Sequence, residues 1–227
     1  MSEVKVIQVN ESIFAENDRT AAALRNRLSD QGTLFLNVMS SPGSGKTTTL
    51  VALINRLKDR LSIGEMDVDI ESSLDAQRVA DRTGIRSLQI HNGGLCHIDA
   101  DMTARALLEY DASGLDLLIL ENIGNLVCPA EFDIGSVKRA VILSAPEGHD
   151  KPLKYPLMFE VSDAMIVNKT DVSEVFDFDL AQAEKNARMR NPEIQVFPVS
   201  GKAGTGFEAL EAWLRKAVAE WRGEGEA

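Results

Sequence analysis

The chain has 227 residues, enough for one large domain or two small ones around a substantial core. Its 44% hydrophobic and 26% charged residues are ordinary for a globular protein, and a formal net charge of -11 argues against nucleic acid or an anionic membrane as the main partner. No apolar run approaches the ~20 residues that span a bilayer, the first ten residues lack the basic segment and apolar core of a signal peptide, and two cysteines are too few for a disulfide framework. A cytoplasmic location is therefore expected.

Short apolar runs alternate with amphipathic ones along the chain. Residues 1–32 are expected to form an N-terminal arm and a helix, Ala15–Gln31, with Ala22, Leu24 and Leu28 near helical spacing. Thr33–Met39 (TLFLNVM) reads as a buried strand, Thr47–Leu57 as a helix and Arg60–Glu65 as a strand. A third, shorter helix follows at Leu74–Thr83, then a strand at Arg86–Ile90 and a helix at Ala100–Glu109. Leu115–Leu120 (LDLLIL) is a continuous apolar run, as a strand covered on both faces requires. Ala140–Leu143 and Ala164–Val167 are further strands, Leu180–Met189 a helix, Gln195–Val199 a strand and Phe207–Trp221 a final helix. The alternation predicts an α/β fold with a mostly parallel central sheet and helices on both faces, filling residues 33–222, with 223–227 a frayed tail. Ligands in such folds bind beyond the carboxyl ends of the strands.

At one such end, Ser40–Thr47 reads SSPGSGKT, close to the phosphate-loop template G-x-x-x-x-G-K-S/T but with Ser40 in place of the first glycine. Gly43 and Gly45 let successive backbone N–H groups turn toward one anion, and the helix start adds partial positive charge. Pro42, Gly43, Ser44, Gly45, Lys46, Thr47 and Thr48 are the expected cradle. Lys46 would reach the β- and γ-phosphates and Thr47 would bind Mg²⁺. The alternative is a Gly/Ser-rich turn with an incidental lysine.

Asn168–Asp171 (NKTD) follows the strand AMIV. A carboxylate at Asp171 can accept hydrogen bonds from the ring N–H and exocyclic amine of guanine, whereas adenine would leave it unpaired. Asn168 would tie this loop to the phosphate site, the Lys169 stem would cover the base, and Ser200, Gly201 and Lys202 would bring a backbone N–H to the guanine oxygen. Together with the phosphate loop, this selects GTP or GDP. Glu121 opens ENIG, a variant of the D-x-x-G of nucleotide switches; its carboxylate would hold Mg²⁺ and the Gly124 N–H would sense the γ-phosphate. A further acid is expected between the second strand and third helix. Asp67 and Asp75 are favoured for hydrolysis, with Asp75 joining Thr47 and Glu121 around Mg²⁺, although Asp75 also reads as an ordinary first-turn acid.

Gly93–Asp99 (GGLCHID) puts Cys96 beside His97, and Cys128 lies just beyond ENIG. Thiolate and imidazole suit Zn²⁺ or Ni²⁺. Two cysteines and one histidine do not close a tetrahedron; water, His91, Asp101 or a second subunit in a two-fold dimer could complete it. Small buried cysteines without metal are the plain alternative.

Taken together, SSPGSGKTT, DAQR, GGLCHIDADM, ENIGNLVCP, NKTD and SGKAGTG, in that order from Ser40 to Gly206, resemble the nickel-inserting GTPases that mature nickel–iron hydrogenases, within the dimerising P-loop GTPase class. The GGxCH and ENxGNLVCP segments discriminate this family from other P-loop GTPases. The resemblance implies a homodimer whose interface holds Ni²⁺ or Zn²⁺ on Cys96, His97 and Cys128. It also implies slow GTP hydrolysis and nickel transfer to the hydrogenase large subunit with a partner metallochaperone. The first ten residues contain no cysteine and the chain has only three histidines, so accessory nickel storage is not expected. Asp101 stands where some relatives carry an extra ligating histidine. Two other readings are an accessory GTPase for urease, against which GGxCH and ENIGNLVCP speak, and a metal sensor with a nucleotide site that barely turns over.

Overall fold

The computed structural model describes residues 10–69 and 72–224; most of the expected N-terminal arm and the end of the expected tail lie outside the described residues. Seven strands form one parallel sheet: β1 Leu34–Ser40, β2 Ile63–Asp69, β3 Arg86–His91, β4 Leu117–Gly124, β5 Lys138–Ser144, β6 Ala164–Asn168 and β7 Gln195–Pro198. Their order is β3-β2-β4-β1-β5-β6-β7, and every pairing is parallel. The intervening helices are α1 Asn10–Asp30, α2 Lys46–Leu57, α3 Leu74–Thr83, α4 Ala100–Tyr110, α5 Cys128–Glu131, α6 Lys151–Lys154, α7 Pro156–Glu160, α8 Leu180–Arg188 and α9 Glu208–Trp221.

Period-two alternation sorts the strand side chains onto two faces. Leu34, Leu36 and Val38 of β1, Ile63 of β2, Leu117 and Ile119 of β4, and Ala140 and Ile142 of β5 pack with α2 and α9. Phe35, Met66, Val68, Leu118 and Leu120 face α1 and α4, while Met39, Val141, Leu143, Met165 and Val167 form a third cluster with α7 and α8. The helix α1 is part of this core through Ala21, Leu24 and Leu28. Among the described residues, no helix is long and apolar enough to cross a membrane.

Three local differences from the sequence reading matter. The strand expected at Arg60–Glu65 begins at Ile63 and continues to Asp69. Leu61 still donates its N–H to Leu57 O (3.0 Å), so the chain is finishing the exit of α2 there. Glu65 and Asp67 consequently lie inside β2 rather than after it. The first helix begins at Asn10, ahead of Ala15. The stretch 145–160, to which the sequence pattern assigns no element, forms the short helices α6 and α7 and a 3₁₀ turn; proline at the first or second position starts each.

Candidate nucleotide and metal sites

The loop between β1 and α2 lies at the centre of the sheet, beside β4 and β5. Gly43 and Gly45 have φ of 76° and 93°, the left-handed backbone the loop requires. Ser40, where glycine was the expected residue, ends β1 without a positive φ, so no glycine is needed there. Its buried hydroxyl is the hub of the loop. Ser44 Oγ donates to Ser40 Oγ at 2.6 Å, Lys46 Nζ donates to it at 3.1 Å, and Ser40 Oγ donates to Ser41 O at 2.7 Å. No side chain caps α2, leaving its first N–H groups for an anion.

The base loop is fastened to the phosphate loop. Asn168 Nδ2 donates to Ser44 O at 2.9 Å, while Asn168 Oδ1 accepts from Gly201 N at 2.9 Å. A Cβ on Gly45 would lie 2.6 Å from Asn168 Nδ2, so glycine is required by space as well as by φ. Lys169 adopts a left-handed φ of 61° and its Nζ donates to Gly43 O at 2.8 Å. Asp171 is exposed, with Oδ1 accepting from Ser200 Oγ at 2.6 Å. Asn168, Lys169, Asp171, Ser200 and Gly201 are thus one assembly, while Lys202 and Thr48 are exposed beside it.

On the other side of the phosphate loop, Glu65, Asp67 and Glu121 each offer a carboxylate oxygen within 4.8 Å of the others. Strand register explains this. Asp67 pairs with Glu121 across β2 and β4, and all three continue the face that carries Ile63, Leu117 and Ile119 toward α2. Thr47 Oγ1 donates to Glu121 Oε1 at 2.8 Å. Burial pushes Glu65 up to about 9, Glu121 to about 8 and Asp67 to about 6; neighbouring carboxylates add to it. One oxygen of each, Glu65 Oε1, Asp67 Oδ2 and Glu121 Oε2, has no hydrogen-bond partner. Buried, unpartnered carboxylate oxygens beside a threonine hydroxyl fit a hard cation such as Mg²⁺. Asp75 stands apart from the trio, in the first turn of α3, with Arg78 at 2.5 Å, although its negative charge is felt at all three. Glu65, not Asp75, stands with Asp67 and Glu121. The signal was present in EMDVD, where acids and apolar residues alternate with period two, but it was hidden by placing the strand's end at Glu65.

Beyond Glu121 the chain runs directly to the soft donors. Gly124 packs on the phosphate loop; a Cβ there would be 3.0 Å from Pro42 Cα. Asn125 Nδ2 donates to Cys96 O at 3.2 Å, and Cys128, opening α5, lies with its Sγ 3.0 Å from Cys96 Sγ. Both cysteines are free. His97 Nδ1 is 3.7 Å from Cys96 Sγ, and the His97 ring stacks on Phe132 with centroids 4.0 Å apart. The Cys128 thiol beside Cys96 raises the Cys96 pKa, so a metal must displace a proton there. Asn92 shapes the loop, with Nδ2 donating to Leu95 O (2.7 Å) and His97 O (3.0 Å). Asn17 of α1 joins the two halves: Nδ2 donates to Asp133 O at 2.8 Å and Oδ1 accepts from Ala100 N at 2.9 Å. Asp101 pairs with Arg105 at 3.1 Å in its own helix. Leu95 and Val127, flanking the thiols, are exposed.

A parallel sheet with a phosphate loop at its central strand end defines a P-loop nucleotide-binding protein. Residues 34–198 match the family of the CobW/HypB/UreG nucleotide-binding domain. The chain is 46% identical to the hydrogenase maturation factor HypB of Rhizobium leguminosarum bv. viciae over 219 residues, 96% of this chain and 73% of that protein. It is 39% identical over 214 residues to a protein of Helicobacter pylori strain J99 named hydrogenase/urease maturation factor HypB, covering 92% and 87% of the two chains. A crystal structure of HypB from Helicobacter pylori in complex with nickel superposes with a TM-score of 0.83 at 38% identity, covering 90% of this chain and 96% of that one. The chain therefore belongs to the CobW/HypB/UreG family, among the HypB hydrogenase maturation factors.

Proposed function

We propose that this chain is a GTP-hydrolysing nickel metallochaperone that delivers Ni²⁺ to the hydrogenase large subunit, with metal binding and dimerisation governed by the nucleotide. The observation that carries this reading is the segment from Glu121 to Cys128. It touches Thr47 at one end, Pro42 and Cys96 in the middle, and the Cys96 thiol at the other. The family and the nickel-bound relative support it.

In this reading the N–H groups at the start of α2 hold the phosphates, and the Lys46 amine neutralises charge building on the β–γ bridge as water attacks the γ-phosphorus. Asp171, Ser200, Gly201 and Lys202 select guanine, with Asn168 and Lys169 fixing the base loop to the phosphate loop. Thr47 and Glu121, with Asp67 and Glu65, would hold Mg²⁺, which supplies charge neutralisation of the phosphates when bound. Asp75 acts on this site by field rather than contact. A γ-phosphate on the Gly124 N–H shifts the segment that carries Asn125 and Cys128, and so changes the donors offered to Ni²⁺ or Zn²⁺. The exposed Leu95 and Val127 beside Cys96 would give a second copy an apolar surface to pack on, and that copy would also supply the ligands the Cys96, His97 and Cys128 set lacks. The partner metallochaperone loads or unloads this site in the cytoplasm; nucleic acid and membrane have no part in it.

Turnover of GTP by Lys46→Ala tests the enzyme. A loss of at least a hundredfold is expected, and unchanged hydrolysis sinks the reading. Light scattering on apo, Ni²⁺, Zn²⁺ and GTP-analogue samples, with Cys128→Ala beside them, tests the dimer. Nickel affinity that is identical with GDP and with a non-hydrolysable GTP analogue would remove the coupling. Since the Helicobacter relative is named for both hydrogenase and urease, rescue of strains lacking either activity identifies the acceptor.

A further inference from the structure

We propose that Glu65, Asp67 and Glu121 form a divalent-cation site that fills before any nucleotide binds, and that Glu65 is the residue that makes this possible. The proposal rests on the reading of the phosphate loop but goes beyond it. In phosphate-loop proteins Mg²⁺ is held by one or two protein oxygens, and the nucleotide phosphates and water complete its octahedron. Here three carboxylates and a hydroxyl already meet. Their ligand oxygens lie within 4.8 Å of one another, and Glu65, Asp67 and Glu121 are 0%, 3% and 3% exposed.

Their hydrogen bonding is incomplete in a matching way. Glu121 accepts from Thr47, and Glu65 accepts a short hydrogen bond from Ser87, yet Glu65 Oε1, Asp67 Oδ2 and Glu121 Oε2 remain without a partner. Each such orphan destabilises a folded protein unless something occupies it. Lys46 offsets part of the charge at Asp67 and Glu121, but the charges acting most on Glu65 are the other acids. A cation in contact with all three supplies what the side chains lack. The donors are all oxygen, so they favour Mg²⁺ or Mn²⁺; the Cys96, His97 and Cys128 set favours Ni²⁺ or Zn²⁺. The two donor sets lie at opposite ends of the segment from Glu121 to Cys128, which keeps the nucleotide's cation and the nickel cargo apart.

The test is a Mn²⁺ titration of the nucleotide-free full chain, read by the electron paramagnetic resonance signal of unbound Mn²⁺. Cys96→Ser/Cys128→Ser protein removes the soft site from the measurement. One Mn²⁺ per chain is expected, with affinity at least tenfold weaker in Glu65→Gln and partly restored in Glu65→Asp. No bound Mn²⁺ on the parent protein at millimolar concentration overturns the proposal. So does binding that Glu65→Gln leaves unchanged, because ions would then be spread over the acidic surface. Binding of a fluorescent GDP is measured on the same samples. If GDP binds and Mn²⁺ alone does not, only this inference fails; if GDP does not bind, the nucleotide reading itself fails.

Discussion

Replacing Asn168 with alanine separates the phosphate loop from the base loop at a cost that the structure sets. Asn168 is 2% exposed and Ser44 1% exposed. The substitution deletes the bond from Asn168 Nδ2 to Ser44 O and the bond from Gly201 N to Asn168 Oδ1, both 2.9 Å. Each orphaned buried group costs about 1–3 kcal/mol, so the pair costs about 2–6 kcal/mol. Both loops lie at the carboxyl ends of their strands, next to exposed Gly43 and Asp171, where water can enter, which puts the expected loss at about 2–3 kcal/mol. At roughly 2–4 °C per kcal/mol for a chain of this size, the melting temperature falls by about 4–12 °C. Circular dichroism melts of the nucleotide-free protein measure it. Asn168→Asp keeps the acceptor for Gly201 but faces a carboxylate oxygen to the Ser44 carbonyl, so it must lose at least as much. A melt of Asn168→Ala within a degree of the parent, or an Asn168→Asp protein as stable as the parent, refutes the reasoning.

Other substitutions probe neighbouring parts of the site. Gly45→Ala forces a Cβ onto a φ of 93° and to 2.6 Å from Asn168 Nδ2; affinity for a fluorescent GDP should drop at least tenfold with the far-ultraviolet spectrum unchanged. Burial raises Glu65 from 4.5 to about 9, so its folded pKa lies above its unfolded value. The stability it contributes is therefore present below about pH 4.5 and lost as pH rises toward 9, about 3.5 kcal/mol by pH 7 at 1.4 kcal/mol per unit. In chelator, the urea midpoint of the parent should fall across that range, and Glu65→Gln should flatten the slope. Asn17→Ala removes the bonds to Asp133 O and from Ala100 N; nickel competition with a metallochromic dye should show weaker binding while GTP turnover stays as in the parent.

The layered fold was legible because most central strands read as nearly continuous apolar runs, as in LLIL of β4 and AMIV of β6, and the longer helices carry an apolar stripe; β2, with Glu65 and Asp67 in its buried stretch, is the exception. Glycine and lysine at fixed spacing likewise marked the phosphate loop. Long-range register was not legible. Nothing in the chain order announces that β2 and β4 are neighbours, so the pairing of Asp67 with Glu121 had no local signal. Asp75 sits in the matching segment DAQR, yet its partner is Arg78 within the same helix. The supports of the metal loop were also hidden. Asn17, Asn92 and Phe132 act through contacts with residues distant in the chain or through backbone carbonyls, and side-chain type alone does not single them out.

Coupling between nucleotide and metal needs only a small energy to be useful. A tenfold change in nickel affinity requires about 1.4 kcal/mol, close to the net worth of one hydrogen bond. The bond from Asn125 Nδ2 to Cys96 O at 3.2 Å is such a link, since Asn125 follows Gly124 and Cys96 bears the thiol. Asn125 Oδ1 also accepts from Val127 N at 2.8 Å, which fixes the turn leading into Cys128. Asn125→Ala therefore removes the joint between Gly124 and the thiol loop but leaves every expected ligand in place. Nickel titrations with GDP and with a GTP analogue should give affinities that differ in the parent and converge in Asn125→Ala. If the difference survives undiminished, the signal passes through the Cys128 backbone alone, and the link from Asn125 to Cys96 is only part of the loop's scaffold.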